Sequence, residues 1–176
     1  MTGIEQCQWL EPGGLAAAQR IVEFLGNIGI PVRIEPVSDS VLPGMTVRRG
    51  TICLDPATAL YPGDVLHEAG HIAAQDPSER AHCAEVSDDP GEEMAAIAWS
   101  AAAARASGVD LGVVFHDAGY KGEADALRVA CEKASPPGVA MLAWWGMTAE
   151  PHRRDIDLTP YPAMAKWLRS ENDARL

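Results

Sequence analysis

The sequence has no cysteine pair of the CxxC kind and no basic, apolar leader. Its four cysteines, Cys7, Cys53, Cys83 and Cys131, are widely spaced along 176 residues. In a chain of that length such spacing argues against a disulfide framework and points to a reducing compartment. The opening residues, MTGIEQCQWLEPGG, lack a basic region followed by an apolar run, so no signal peptide is expected. No apolar stretch approaches the ~18 uncharged residues of a membrane span, so no membrane partner is expected. Positive charge is also scarce: Lys and Arg number 14 against 25 Asp and Glu, a formal net charge of -11. The pairs Arg48–Arg49 and Arg153–Arg154 do not make a basic stripe. A chain this acidic repels a phosphate backbone, so no nucleic-acid partner is expected. Internal repeats, long linkers and low-complexity tracts are absent apart from one alanine run. The expectation is a cytoplasmic protein.

What remains is an ordinary globular composition, 47% hydrophobic and 22% charged. The length fits a single domain over residues 1–176, with enough chain to bury a core. Leu15, Ala18, Ile21, Val22 and Leu25 recur at helical spacing, with Gly26 and Asn27 as a stop. PVRIEPV alternates as a strand does, and TVRRGTICLDP reads as a second strand or as a hairpin bent at Gly50. A helix is predicted from about Pro62–Asp64 to Asp76–Pro77, followed by a polar loop through SERAHCAEVSDD. The strongest helix signal is DPGEEMAAIAWSAAAARASG: Asp89 is the cap, Pro90 the first helical residue, and Ser107–Gly108 the end. GEADALRVACEKA and YPAMAKWLRSE are predicted as further helices, the second closing the chain. Trp144 and Trp145, in a short apolar run, are expected in the core. The fold class that follows is α+β, a small antiparallel sheet early and helices after it.

Chemistry concentrates in DVLHEAGHIAAQ. On a helix His67 and His71 share a face, and neutral imidazoles are good zinc ligands. Glu68 projects about 100° further around the axis, so it can stand beside a metal and take a proton from water. Gly70 costs helix propensity but lets a neighbour approach closely. Two histidines do not close a catalytic site, and a third ligand must come from elsewhere. Glu92 and Glu93 open the alanine-rich helix, and Glu93 is the freer of the two if Glu92 serves the cap. Both also suit the helix dipole as first-turn acids. Glu85, Asp88 and Asp89 are weaker candidates. The competing reading has no metal at all, with the two histidines hydrogen-bonded in a core. His82 and Cys83 are expected to be surface or packing residues, and His152, between Pro151 and Arg153, to lie in a solvated loop.

HEAGH followed by a helical glutamate resembles the zincin metallopeptidases of the branch with two histidines and a glutamate as ligands. EMAAIAWS is similar to the E-x-x-A-x-x-aromatic-small helix of the ImmA/IrrE-type metallopeptidases, with Glu93, Ala96, Trp99 and Ser100 in register. The likeness covers roughly residues 50 to 105. It lacks the asparagine common after that alanine, and no helix-turn-helix module is evident. The resemblance implies a zincin-like core around an HExxH helix, with Zn²⁺ held by His67, His71 and Glu93. It implies a metallopeptidase that hydrolyses a peptide or amide bond of a peptide or protein substrate, through a metal-activated water with Glu68 as general base. His116 and Tyr120, in VVFHDAGYKGE, are the candidate oxyanion donors. Asp117 is a candidate partner for a ligand imidazole. The alternative function is a catalytically inactive zincin-like domain that binds a partner protein.

Overall fold

Along the chain the elements are β1 (Gln8–Trp9), α1 (Gly14–Ile28), β2 (Val32–Ile34), β3 (Met45–Arg48), β4 (Thr51–Leu54) and β5 (Ala59–Leu60). Then come α2 (Pro62–Ala74), α3 (Pro77–Arg80), α4 (Pro90–Ser107), α5 (Leu111–Val114), α6 (Ala124–Glu132) and α7 (Val139–Trp144). The computed structural model describes residues 3–38, 40–82, 89–120, 122–153 and 157–170. Cys83, Glu85 and Asp88 lie outside them. Among the described residues no helix is long and apolar enough to cross a membrane.

Local signals set the two helices that matter most. Pro62 opens α2, where its missing N–H costs nothing, and Asp76–Pro77 ends the run. Asp89 caps α4 by accepting from the N–H groups of Gly91 and Glu92, and Gly108 closes it in the left-handed conformation. The alanines of α4 let it lie against α2 at short range. Ala95, Ala96, Ala98 and Ala103 are all fully buried. The closest approach is at Gly70, where a Cβ would stand 2.8 Å from the carbonyl oxygen of Ala96. Close approach of a neighbour was expected at this glycine, and the neighbour is the Ala96 backbone.

Helices α1, α2 and α4 share one core with the sheet, built around Ile21, Leu25, Ile52, Leu66, Ile72 and Trp99. Leu15, expected on the buried face of α1, is instead 38% exposed, and Ala17 takes the inward position. The hairpin bent at Gly50 forms as expected, β3 pairing antiparallel with β4 from Met45↔Leu54 to Arg48↔Thr51. The sheet as a whole is mixed, however, with order β2-β4-β3 and β2 parallel to β4. The segment between Ile34 and Met45 carries Pro36 and Pro43 and turns tightly at its end, where Met45 N–H donates to Leu42 O at 3.1 Å. It delivers β3 to the far edge, so β4 returns into the slot beside β2. A second parallel pair, β1 with β5, anchors the residue just before Tyr61 and α2.

The expected terminal helix is not formed among residues 157–170. Long-range partners hold that segment instead. Tyr161 donates its hydroxyl to Ala98 O at 3.0 Å, Trp99 Nε1 donates to Trp167 O at 2.9 Å, and Arg169 N donates to Ala73 O at 3.0 Å. Trp145 is buried with the Arg169 guanidinium 4.6 Å from its ring centre, whereas Trp144 is 55% exposed, against expectation. Trp144 ends α7 and Trp145 follows it as the C-cap residue, so the two side chains leave the backbone in different directions. The one-turn helices α3 and α5 are additions that their Asp76 and Asp110 caps explain.

Candidate metal centre

Helix α2 carries two imidazoles one turn apart, and α4 presents a carboxylate from its first turn. The crossing at Gly70 brings them together. His67 Nε2 and His71 Nε2 are 3.1 Å apart, with their rings nearly perpendicular at 89°. Glu93 reaches both, Oε1 lying 3.5 Å from His67 Nε2 and Oε2 3.1 Å from His71 Nε2. Ligands about 2.0–2.1 Å from a tetrahedral zinc ion stand about 3.3 Å from one another. The three observed separations match that spacing, so His67, His71 and Glu93 lie close enough to hold one metal ion. Of the two adjacent glutamates it is Glu93 that points here. The alternatives Glu85 and Asp88 lie outside the described residues, and Asp89 is occupied as the cap.

Electrostatics bind the trio even without an ion. Hydrogen bonds from His67 and then His71 hold the Glu93 carboxyl well below the usual carboxylate range. Burial works to lower the His67 pKa, but the hydrogen bond and charge of Glu93 outweigh it and the pKa is raised. Glu68 stands beside the trio, and its pKa is raised, burial outweighing the attraction of His71 and His67. That is the direction a carboxylate needs to hold and release a proton near neutral pH.

Tyr120 stands over the other side of His67, its hydroxyl 3.2 Å from Nδ1. A proton on Nδ1 is thereby given an acceptor, which leaves Nε2 bare for a metal. Burial, then the charges of Glu93 and Asp64, raises the Tyr120 pKa, so the phenol keeps its proton. His71 Nδ1 is buried and has no hydrogen-bond partner among the described residues. His116 is also buried, stacked on Tyr61 with ring centres 4.0 Å apart. Gly119 N–H donates to its Nδ1 at 3.2 Å, so the proton sits on Nε2, which donates to Asp64 Oδ1 at 2.8 Å. Both nitrogens are engaged, and the donor role expected for His116 competes with these bonds. Asp117 does not reach a ligand imidazole: it is 88% exposed and pairs with Arg128 at 3.4 Å. Tyr120 occupies the position that had been expected for Asp117.

Tyr61, Asp64, Glu68, His116 and Tyr120 line one cavity of about 610 Å³ with the three candidate ligands. Leu42, Pro43, Met45 and Leu60 add apolar lining to the same cavity. Tyr61 and Asp64 carried no sequence signal beyond their place at the start of α2. His82 and His152 lie on the exposed surface, the first against Ser78 O at 3.1 Å and the second against Glu150 at 3.2 Å. No protein-family model matches this chain, and neither a curated protein nor a solved structure matches it.

Proposed function

We propose that the chain is a zinc-dependent metallopeptidase of the zincin kind, hydrolysing a peptide or amide bond in a peptide or protein substrate. The observation that carries this reading is the convergence of His67, His71 and Glu93 at tetrahedral spacing, with Glu68 beside them in one cavity. Two imidazoles and a carboxylate are a donor set suited to zinc, and three protein ligands leave one position open, as catalytic sites do. Zinc bound there supplies Lewis-acid polarisation of a carbonyl and acidifies a water.

The chain's own residues supply the rest. Glu68, its pKa raised by burial, accepts the proton of the attacking water and returns it to the leaving amine. Tyr120 stays protonated, accepts from His67 Nδ1, and has its own O–H left to donate to the developing oxyanion. The Tyr61–His116–Asp64 array holds the wall of the cleft in place. Leu42, Met45 and Leu60 give the cleft apolar surface on which a substrate side chain can rest.

The test is elemental analysis of untagged protein alongside peptide hydrolysis. Wild type is expected to carry about one zinc per chain and His71→Ala none. Glu68→Gln is expected to keep zinc and lose hydrolysis. Cleavage that survives in Glu68→Gln overturns the mechanism. Zinc retained with no hydrolysis of any peptide mixture by the wild type favours the partner-binding reading. No metal in any sample, even after incubation with zinc, returns the histidines to a hydrogen-bonded core pair.

A further inference from the structure

The outer face of the β2–β4–β3 sheet is out of character for so acidic a chain. Strand alternation sends Val47, Ile52 and Leu54 into the core. The opposite face takes Arg33 and Cys53, which are cross-strand partners, and Arg48, paired with Thr51. Arg33, Glu35, Arg48, Arg49, Thr51 and Cys53 line an open cleft of about 580 Å³. It shares no residue with the metal centre. Three arginines and one glutamate line it, in a chain whose net charge is -11. The carboxylate, Glu35, is taken by Arg48 at 3.2 Å. Among the described residues the side chains of Arg33 and Arg49 make no hydrogen bond or ion pair. Cys53 adds no negative charge, because burial keeps its thiol protonated.

The hairpin turn adds an independent observation. Arg49 has φ 51° and Gly50 φ 70°, a pair of left-handed residues that suits Asn-Gly or Gly-Gly. A long side chain is strained in that conformation, which glycine adopts freely. Arg49 is exposed at that turn and lines the cleft.

We propose that this cleft binds a small oxyanion of high charge, a phosphomonoester or free phosphate, through Arg33 and Arg49 with Arg48 alongside. Guanidinium forks match phosphate oxygens in pairs, and a cleft of one sign concentrates its counter-ion. The acidity of the rest of the chain selects a compact ligand over an extended nucleic acid, whose flanking phosphates would meet carboxylates.

The experiment is a titration of the zinc-incubated protein with inorganic phosphate, a phosphomonoester and a short RNA, followed by the arginine Nε–H NMR resonances against sodium chloride at matched ionic strength. Saturable shifts at Arg33 and Arg49 with the first two probes, tenfold weaker in Arg33→Gln and in Arg49→Gly, are expected. The tighter of those two probes identifies the source. Arg49→Gly suits the left-handed turn, so it removes the guanidinium while keeping the fold, and an unchanged or higher melting temperature confirms that. Shifts that chloride reproduces, that survive both substitutions, or that RNA produces more strongly overturn the proposal.

Discussion

Glu92 and Glu93 are chemically identical neighbours, and only helical phase separates them. Glu93 stands within 3.1 Å of His71, so Glu93→Gln is expected to release zinc while Glu92→Gln keeps it. Metal content of the two purified variants decides this, and loss of zinc in the second alone would move the third ligand. Tyr120 has two jobs in the proposed site, and they can be separated. Its contact with His67 Nδ1 orients a ligand, and removal of such a partner costs roughly 10–100-fold in metal affinity. Its free O–H serves the oxyanion, where loss of one donor costs roughly 10²–10³ in kcat. Tyr120→Phe is therefore expected to lower zinc affinity in a chelator competition and kcat at saturating zinc. A kcat loss with unchanged zinc affinity would confine the tyrosine to the oxyanion. These donors were legible as residue types because HEAGH and the acid pair are local patterns. The Asp64–His116 bond was not, since its partners are 52 residues apart in sequence.

Helix boundaries were the most legible elements, because their signals lie within one turn of the ends. Asp89, Pro90 and Gly108 mark α4 at both limits, and the structure uses all three. Truncating that cap, Asp89→Ala, is expected to cost about 0.5–2 kcal/mol in chemical denaturation. It also frees the turn that carries Glu93, so zinc affinity is expected to fall with stability. The α2–α4 crossing sets a sharper test at Gly70. A methyl group there meets Ala96 backbone, which cannot rotate away as a side chain could. Gly70→Ala would raise helix propensity on an isolated helix. Here it is expected to destabilise by about 1–3 kcal/mol through overpacking and to part the histidines from Glu93. A Gly70→Ala protein that is more stable and still binds zinc would refute the close crossing. The parallel β2–β4 pair and the non-helical 157–170 segment were not legible, because each depends on partners far along the chain.

At the scale of the whole molecule the reduced cysteines report how folding dictates charge. Their wide spacing argued against disulfides, and Cys7, Cys53 and Cys131 are buried and unpaired. Burial, aided by a hydrogen bond to Glu35 and its charge, pushes the Cys53 thiol up from 9.0 to about 11. Burial, aided by the charge of Glu132, pushes Cys131 up from 9.0 to about 12. The native state therefore binds these protons more tightly than the unfolded chain does. Their contribution to stability is complete below about pH 9 and is lost as pH rises towards 11 for Cys53 and 12 for Cys131. Denaturation midpoints are accordingly expected to be insensitive to these thiols near neutrality and to fall steeply above about pH 9. Cys131→Ala should flatten the alkaline limb, although its small cavity lowers the plateau. The same shifts make both thiols poor nucleophiles in the native fold, since only the thiolate reacts. Alkylation at pH 8 is expected to be slow until denaturant is added and then rapid. Fast native alkylation of Cys53 or Cys131, identified by peptide mass spectrometry, would show that the sheet face and the α6 contact open far more readily than their burial allows.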